Sequence, residues 1–354
     1  MKKFTKSLAL LLAFMMVFGM LAACSKSEPT ASTDANTSGM IAPLGNGKDI
    51  YNEPIKIARI AISTAGITNI LINLTVKEQL LLYPNVTVDH FDGNYDVTTQ
   101  IQMIQEAVTQ GYDAIIMDLL DIEACNNAIL EAEAAGVPVI TMNSGATALH
   151  TLHLQGSDYE SGQIAARKLI EMTGGVGNAV ILDVPAELKA IGQMGTGFQE
   201  TVEKESDIVV LELQAIDFWS QEIGRTKMSD LLTKYPDIDM VYCASDDIAI
   251  GAIQAIEAAG RQGDDIKVWG NCAFRNALDA ITEGRMTGSC YSDVYLQYGM
   301  AVYFALFFIQ TGTTSITAGY TETPSVDQAM IPVTIENVED IKAISHWYRS
   351  DIQF

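Results

Sequence analysis

Two hydrophobic patterns alternate along the chain from about residue 54. Short runs rich in β-branched residues read as strands: KIARIAIS (56–63), VTVDHF (86–91), DAIIMD (113–118), VPVITMN (137–143), HTLHLQG (150–156), NAVILDV (178–184), IVVLELQ (208–214), MVYCAS (240–245), IKVWGN (266–271) and MTGSCYS (286–292). Between most of them apolar residues recur at helical spacing. Ile101, Ile104 and Val108 share one face, as do Ile248, Ala252, Ile253, Ile256 and Ala259. Gly111, Gly136 and Gly260 stand where helix C-terminal caps are expected. Strand–helix alternation with nearly continuous apolar strands implies parallel sheets covered on both faces. So many strands exceed one such sheet, so the expectation is an α/β fold of two doubly wound parallel-sheet lobes joined by three crossovers. Ligands of such sheets bind beyond the carboxyl ends of the strands, which places a cleft between the lobes.

Two long apolar segments need separate treatment. Residues 293–312 read as a buried helix, because Asp293, Gln297 and Gln310 interrupt the run and leave it too short to cross a bilayer. The N-terminus reads as a secretory leader: Lys2, Lys3 and Lys6, an apolar stretch from Leu8 to Met20, then Leu21-Ala22-Ala23-Cys24. That ending resembles the lipobox of bacterial lipoproteins. The resemblance implies cleavage after residue 23, lipidation of Cys24, and attachment to the outer face of the cell membrane through the lipid anchor only. Residues 24–53 are rich in Ser, Thr, Asn, Gly, Asp and Pro and read as a flexible tether.

Composition narrows the function. The formal net charge is −23, and loss of the leader removes three lysines and no acids. Such a surface repels nucleic acid and disfavours a strongly anionic ligand. Cys125, Cys243, Cys272 and Cys290 form no CxxC pair and no metal spacing. Export permits a Cys272–Cys290 disulfide, and the sequence leaves that pairing open.

From about Ile55 to Val338 the chain resembles the ribose/galactose-type periplasmic binding proteins, the type I solute-binding family. The segments that carry this are KIARIAIST, QGYDAIIM, AGVPVITMNS, GSDYESGQIAARKLIE, GTGFQETV and LLTKYPDIDMVYCASDDIAIGAIQAIEAAG. The resemblance implies a monomer that closes around a small neutral solute and delivers it to an ABC permease. Lac-repressor-type regulators share the core. They begin with a DNA-binding helix-turn-helix, whereas the N-terminal residues of this chain read as a leader.

The strand-end loops supply the candidate ligand residues. In the first loop these are Ser63, Thr64, Thr68 and Asn69, of which Thr68 and Asn69 serve equally well as helix caps. Asn143 and Ser144 follow the fourth strand, where ribose binders carry Asp-Arg; Asn can donate to and accept from a hydroxyl, or form an Asx turn. Gln193 lies in VPAELKAIGQMGTGF, near Gly192, where the family has an arginine; Lys189 and Glu187 share that loop. Phe218 and Trp219 form an aromatic pair in a polar loop, suited to stacking on the apolar face of a sugar. Ser245 and Asp246 open a helix and suit both capping and hydroxyl binding. Asn271 and Cys272 end the ninth run; Cys272 replaces the family's acidic residue, which Asn271, or Asp293 beside Ser292, would substitute.

No nucleophile elbow, zinc-protease or P-loop motif occurs, and His90, His150, His153 and His346 are scattered. TGGVGNAV (173–180) precedes a strand and reads as a turn. No catalytic residue, metal or cofactor is expected. The lobes are expected at 54–156 with 293–324, and at 157–292 with 325–354. The ligand class is a neutral polyhydroxylated or small heterocyclic solute. The alternatives are a sensory protein presenting, for example, a furanosyl signal, and a non-transport surface lipoprotein.

Overall fold

The computed structural model describes residues 47–65, 67–156, 158–184, 193–217 and 219–350. Cys24, Phe218, Glu187, Lys189 and Gly192 lie outside the described residues.

The first sheet contains β1 (Ile55–Ala61), β2 (Val86–Asp92), β3 (Ala114–Asp118), β4 (Val139–Met142), β5 (Leu152–Gly156) and β11 (Ser325–Gln328), in the order β11-β5-β4-β3-β1-β2. Every pairing in it is parallel. The second sheet contains β6 (Val176–Asp183), β7 (Asp207–Ala215), β8 (Met240–Cys243) and β9 (Lys267–Trp269), in the order β7-β6-β8-β9, again all parallel. An antiparallel pair, β10 (Ser289–Tyr291) with β12 (Ile331–Val333), joins β9 through single bridges at Trp269–Gly288 and Cys272–Tyr291. β3, β4 and β8 are buried along their whole length, as strands covered on both faces must be.

Helices α1 (Thr68–Leu80), α2 (Val97–Thr109), α3 (Asn126–Ala134) and α9 (Val294–Thr311) cover the first sheet. Helices α4 (Asp158–Thr173), α5 (Gln193–Glu205), α6 (Gln221–Lys234), α7 (Asp246–Ala258) and α8 (Arg275–Thr282) cover the second. Short helices α10 (Ser315–Ala318) and α11 (Val338–Ile344) complete the set. Gly111, Gly136 and Gly260 take positive φ just past α2, α3 and α7, as their C-cap spacing requires. Helices α4 and α5 approach so closely that a Cβ at Gly162 would stand 2.0 Å from the Met194 carbonyl, and one at Gly197 2.1 Å from that of Tyr159. Helix α9 packs Tyr298, Ala301, Val302, Ala305 and Leu306 into the first lobe's core, the buried helix expected from its interrupting polar residues.

Two expectations are corrected. Residues 47–53, assigned to the tether, are part of the fold. Ile50 is buried in the first lobe's core, Lys48 N–H donates to the Ile309 carbonyl (3.1 Å), and Lys48 pairs with Asp113 (2.6 Å). One well-placed apolar residue outweighs the polar composition around it. The second concerns residues 325–328, expected in the second lobe. They form β11, paired with β5 in the first sheet, so the chain crosses between the sheets near 156–158, 291–294 and 328–331. The polar segment SVDQ carries no strand signal of its own and is held by its neighbour's ladder. The four described cysteines are free, with Cys272 N–H donating to the Cys290 carbonyl at 2.8 Å.

Candidate functional site

The carboxyl ends of both sheets face a cavity of about 270 Å³. Its first-lobe wall is a connected polar network. Arg59 on β1 is only 3 % exposed, and its Nη1 donates to Asn69 Oδ1 (2.7 Å). Its Nη2 lies 3.9 Å from Asp118 Oδ2 at the end of β3. Asp118 also accepts from Asn143 Nδ2 (2.9 Å) and from the Tyr298 hydroxyl. Gln297 Nε2 in turn donates to Asn143 Oδ1 (2.8 Å). Burial raises the Asp118 carboxyl above its ordinary pKa, against the pull of Arg59, Tyr298 and Asn143. Ser63, Thr68, Ser144 and Tyr95 complete this side.

The opposing wall is more apolar. Met194, Trp219, Cys272, Phe274 and Met330 line it, with Ser245, Asp247, Asn271 and Ser292 as its polar points. Asn271 is 2 % exposed; its Nδ2 reaches only Met194 Sδ (3.0 Å), and its Oδ1 has no partner among the described residues. Arg59 Nε is likewise buried and unpartnered. Buried polar atoms without partners are costly, and both residues line the cavity. Three non-glycine residues that line this cleft hold positive φ, Tyr95 (55°), Asn143 (54°) and Cys272 (93°), as does Ala273 (52°) next to it. Asparagine tolerates that region; the other three store strain of the kind concentrated at binding sites.

Asp158 borders the cavity where the chain first crosses between the sheets. Burial, then the charges of Asp183 and Asp118, push its carboxyl up to about 7. Asp183, fully buried at the end of β6, is also pushed up to about 7 by burial, although its oxygens accept from Val184 N–H and Gly195 N–H (both 2.7 Å).

Of the residues proposed from sequence, Ser63, Thr68, Asn69, Asn143, Ser144, Trp219, Ser245, Asn271, Cys272 and Ser292 come together around this cavity. Four do not. Thr64 lies off the cavity wall and donates to Asp92 Oδ2 (2.5 Å). Asp246 is buried beneath the wall, accepting from Phe274 N–H (2.6 Å) and Ser289 Oγ (2.7 Å), while the next residue, Asp247, reaches the cavity. Gln193 begins α5, but its neighbour Met194 makes the wall. Asp293 caps α9 through Leu296 N–H (3.0 Å). For Asp246, Gln193 and Asp293 a one-residue step around a helix start decides which side chain faces the cleft. Sequence reasoning missed Arg59, Asp118, Gln297 and Tyr298. A usable signal existed for the first two: a lone cation and a terminal carboxylate in otherwise apolar strands demand partners.

A family model described as a periplasmic binding protein domain matches residues 76–313. The chain is 28% identical over 261 residues to a xylitol-binding protein of Mycolicibacterium smegmatis, covering 72% of each chain. It is 29% identical over 199 residues to the ribose import binding protein of Bacillus subtilis, covering 56% of this chain and 63% of that one. Among solved structures, a Caulobacter myo-inositol binding protein superposes with a TM-score of 0.74 at 18% identity, covering 85% of this chain and 99% of the other, a likeness of fold. Two parallel sheets crossed three times, a cavity at their facing carboxyl ends and the match over 76–313 lead to one conclusion: this chain belongs to the periplasmic binding protein family, with the type I fold.

Proposed function

We propose that this protein captures a small neutral sugar or polyol in the interlobe cleft outside the cytoplasm and delivers it to an ABC permease. The observation that carries this reading is the cavity between the Arg59–Asp118–Asn143–Gln297 network and the Trp219–Met194–Phe274 wall. Planar carboxamides and carboxylates pair with hydroxyls, while Trp219 and Phe274 cover C–H faces. A net anion is disfavoured, because Asp118, Asp158 and Asp247 already border the site. The xylitol and ribose binders among its relatives support the same class. The test is a thermal-shift screen of xylitol, D-ribose, D-apiose, myo-inositol and nucleosides, followed by calorimetry on each hit. A bound ligand at ~100 times its Kd adds about 2.7 kcal/mol of stability. Absence of any shift across neutral sugars and polyols at millimolar concentration would overturn the reading.

The same reading includes a lipid anchor at Cys24, supported by the Leu-Ala-Ala-Cys motif. Mass spectrometry of the membrane-extracted protein should find an acylated N-terminal cysteine. Cys24→Ser should release the protein from the membrane, and an unmodified wild-type N-terminus would remove the anchor from the proposal.

A further inference from the structure

We propose that the C-terminal segment 345–350 is a strap that sets the resting angle between the two lobes and positions the Phe274 wall of the cleft. This rests on reading the molecule as a two-lobe binding protein whose lobes move relative to each other. The strap leaves α11, which is anchored in the second lobe's core by Val338 and Ile341. Its next residues then touch both lobes. The His346 ring stacks on Tyr295 of α9 in the first lobe, with centroids 3.8 Å apart. Trp347 is fully buried and meets Phe274 edge-on at 5.4 Å. The Tyr348 hydroxyl donates to Asp279 Oδ1 (2.5 Å) and lies 3.3 Å from the Arg275 carbonyl, both on α8 of the second lobe. Arg349 makes a two-pronged ion pair with Glu78 on α1 of the first lobe, Nη2 to Oε1 at 2.6 Å and Nη1 to Oε2 at 3.0 Å. Glu78 also accepts from the Tyr295 hydroxyl.

The geometry leaves no slack. Tyr348 and Arg349 are consecutive, so their Cα atoms are held about 3.8 Å apart, yet one grips the second lobe and the other the first. A rotation that carries α1 away from α8 must break one of these contacts. The Glu78 and Arg349 side chains are each 30% exposed, so the pair adds little to global stability. Its leverage is on the balance between lobe arrangements, which differ by only a few kcal/mol in proteins of this kind. Trp347 gives the strap its link to the site, because the Phe274 ring it supports lines the cavity. Arg349, Glu78 and Trp347 are thus positioning residues: they act on the ligand through the lobe angle and Phe274.

The test requires no ligand, so its failure is separable from failure of the sugar-binding reading. Spin labels are placed on the full chain at Leu130→Cys on α3 and Val209→Cys on β7, both exposed and on opposite lobes. Distance distributions are measured by pulsed electron resonance in the ligand-free protein. Arg349→Met and, separately, the milder Glu78→Gln are expected to broaden the interlobe distribution and shift its mean. Arg349→Lys, which keeps the charge, should largely restore it. Melting temperatures should fall by no more than about 2–4 °C, which separates lost positioning from lost fold. Unchanged distributions in both folded variants would overturn the proposal, as would identical broadening in Arg349→Lys and Arg349→Met.

Discussion

Replacing Asp118 by Asn changes one charge at constant volume in the middle of the polar wall. Asp118 is 8 % exposed and faces Arg59 at 3.9 Å, with Tyr298 and Asn143 donating to its oxygens. The substitution opens no cavity, so the cost is electrostatic. It leaves a guanidinium that is itself almost fully buried without a counter-charge. Removing one partner of a buried pair costs about 3–5 kcal/mol. The 3.9 Å separation places this pair at the weaker end, so about 3 kcal/mol is expected. At about 2–4 °C per kcal/mol for a chain of this size, the melting point should fall by roughly 6–12 °C. Tyr298→Phe removes only a hydroxyl donor and should cost about 1–2 kcal/mol. Because both changes act on one carboxylate, the double variant should fall short of the sum by about 1 kcal/mol. The assay is thermal and denaturant unfolding of the two single variants, the double variant and wild type at neutral pH, without ligand. A melting point for Asp118→Asn within about 2 °C of wild type, or strictly additive costs, would refute the argument that these groups form one network.

Three further outcomes follow from the same structure. Trp219→Ala should weaken binding of the ligand found by screening by roughly ten- to hundred-fold in calorimetry, the equivalent of about 1–3 kcal/mol; because Trp219 also packs against the second lobe's core, Trp219→Phe is the control that preserves the apolar contact, and equal affinities in all three would remove the residue from the site. Glu133, 1 % exposed, accepts from Val139 N–H, Thr151 N–H and Oγ1, and Ser315 N–H and Oγ; Glu133→Ala should destabilise the protein by about 3–5 kcal/mol in urea unfolding, and a loss below about 1 kcal/mol would contradict this. Asp158 has its pKa raised to about 7 from 3.8, so the stability it permits is greatest below pH 3.8 and is lost as the pH rises through about 7; Asp158→Asn should therefore raise the melting point relative to wild type more at about pH 8 than at about pH 5, and a pH-independent difference would rule this out.

The alternation of local patterns was enough to specify the architecture. Ten β-branched runs alternating with helical periodicities became β1 to β10, because strand burial on both faces and helix amphipathicity are local demands that any solution must satisfy. Glycines at helix ends were legible for the same reason: positive φ is a property of one residue. The strand-end loops also marked where a ligand would sit, since parallel sheets expose their carboxyl ends together. The remainder depended on long-range packing. β11 and β12 have no signal in SVDQ and IPV and exist through pairing with β5 and β10 across long stretches of chain. The choice of Asp247 over Asp246 at the cavity, and of Met194 over Gln193, turned on helix phase at a single residue. The Arg59–Asp118–Asn143–Gln297 wall joins residues as far apart as 59 and 297. A buried charge announces in sequence that it needs a partner, but which partner it finds depends on how distant elements pack, and that packing is a property of the whole core.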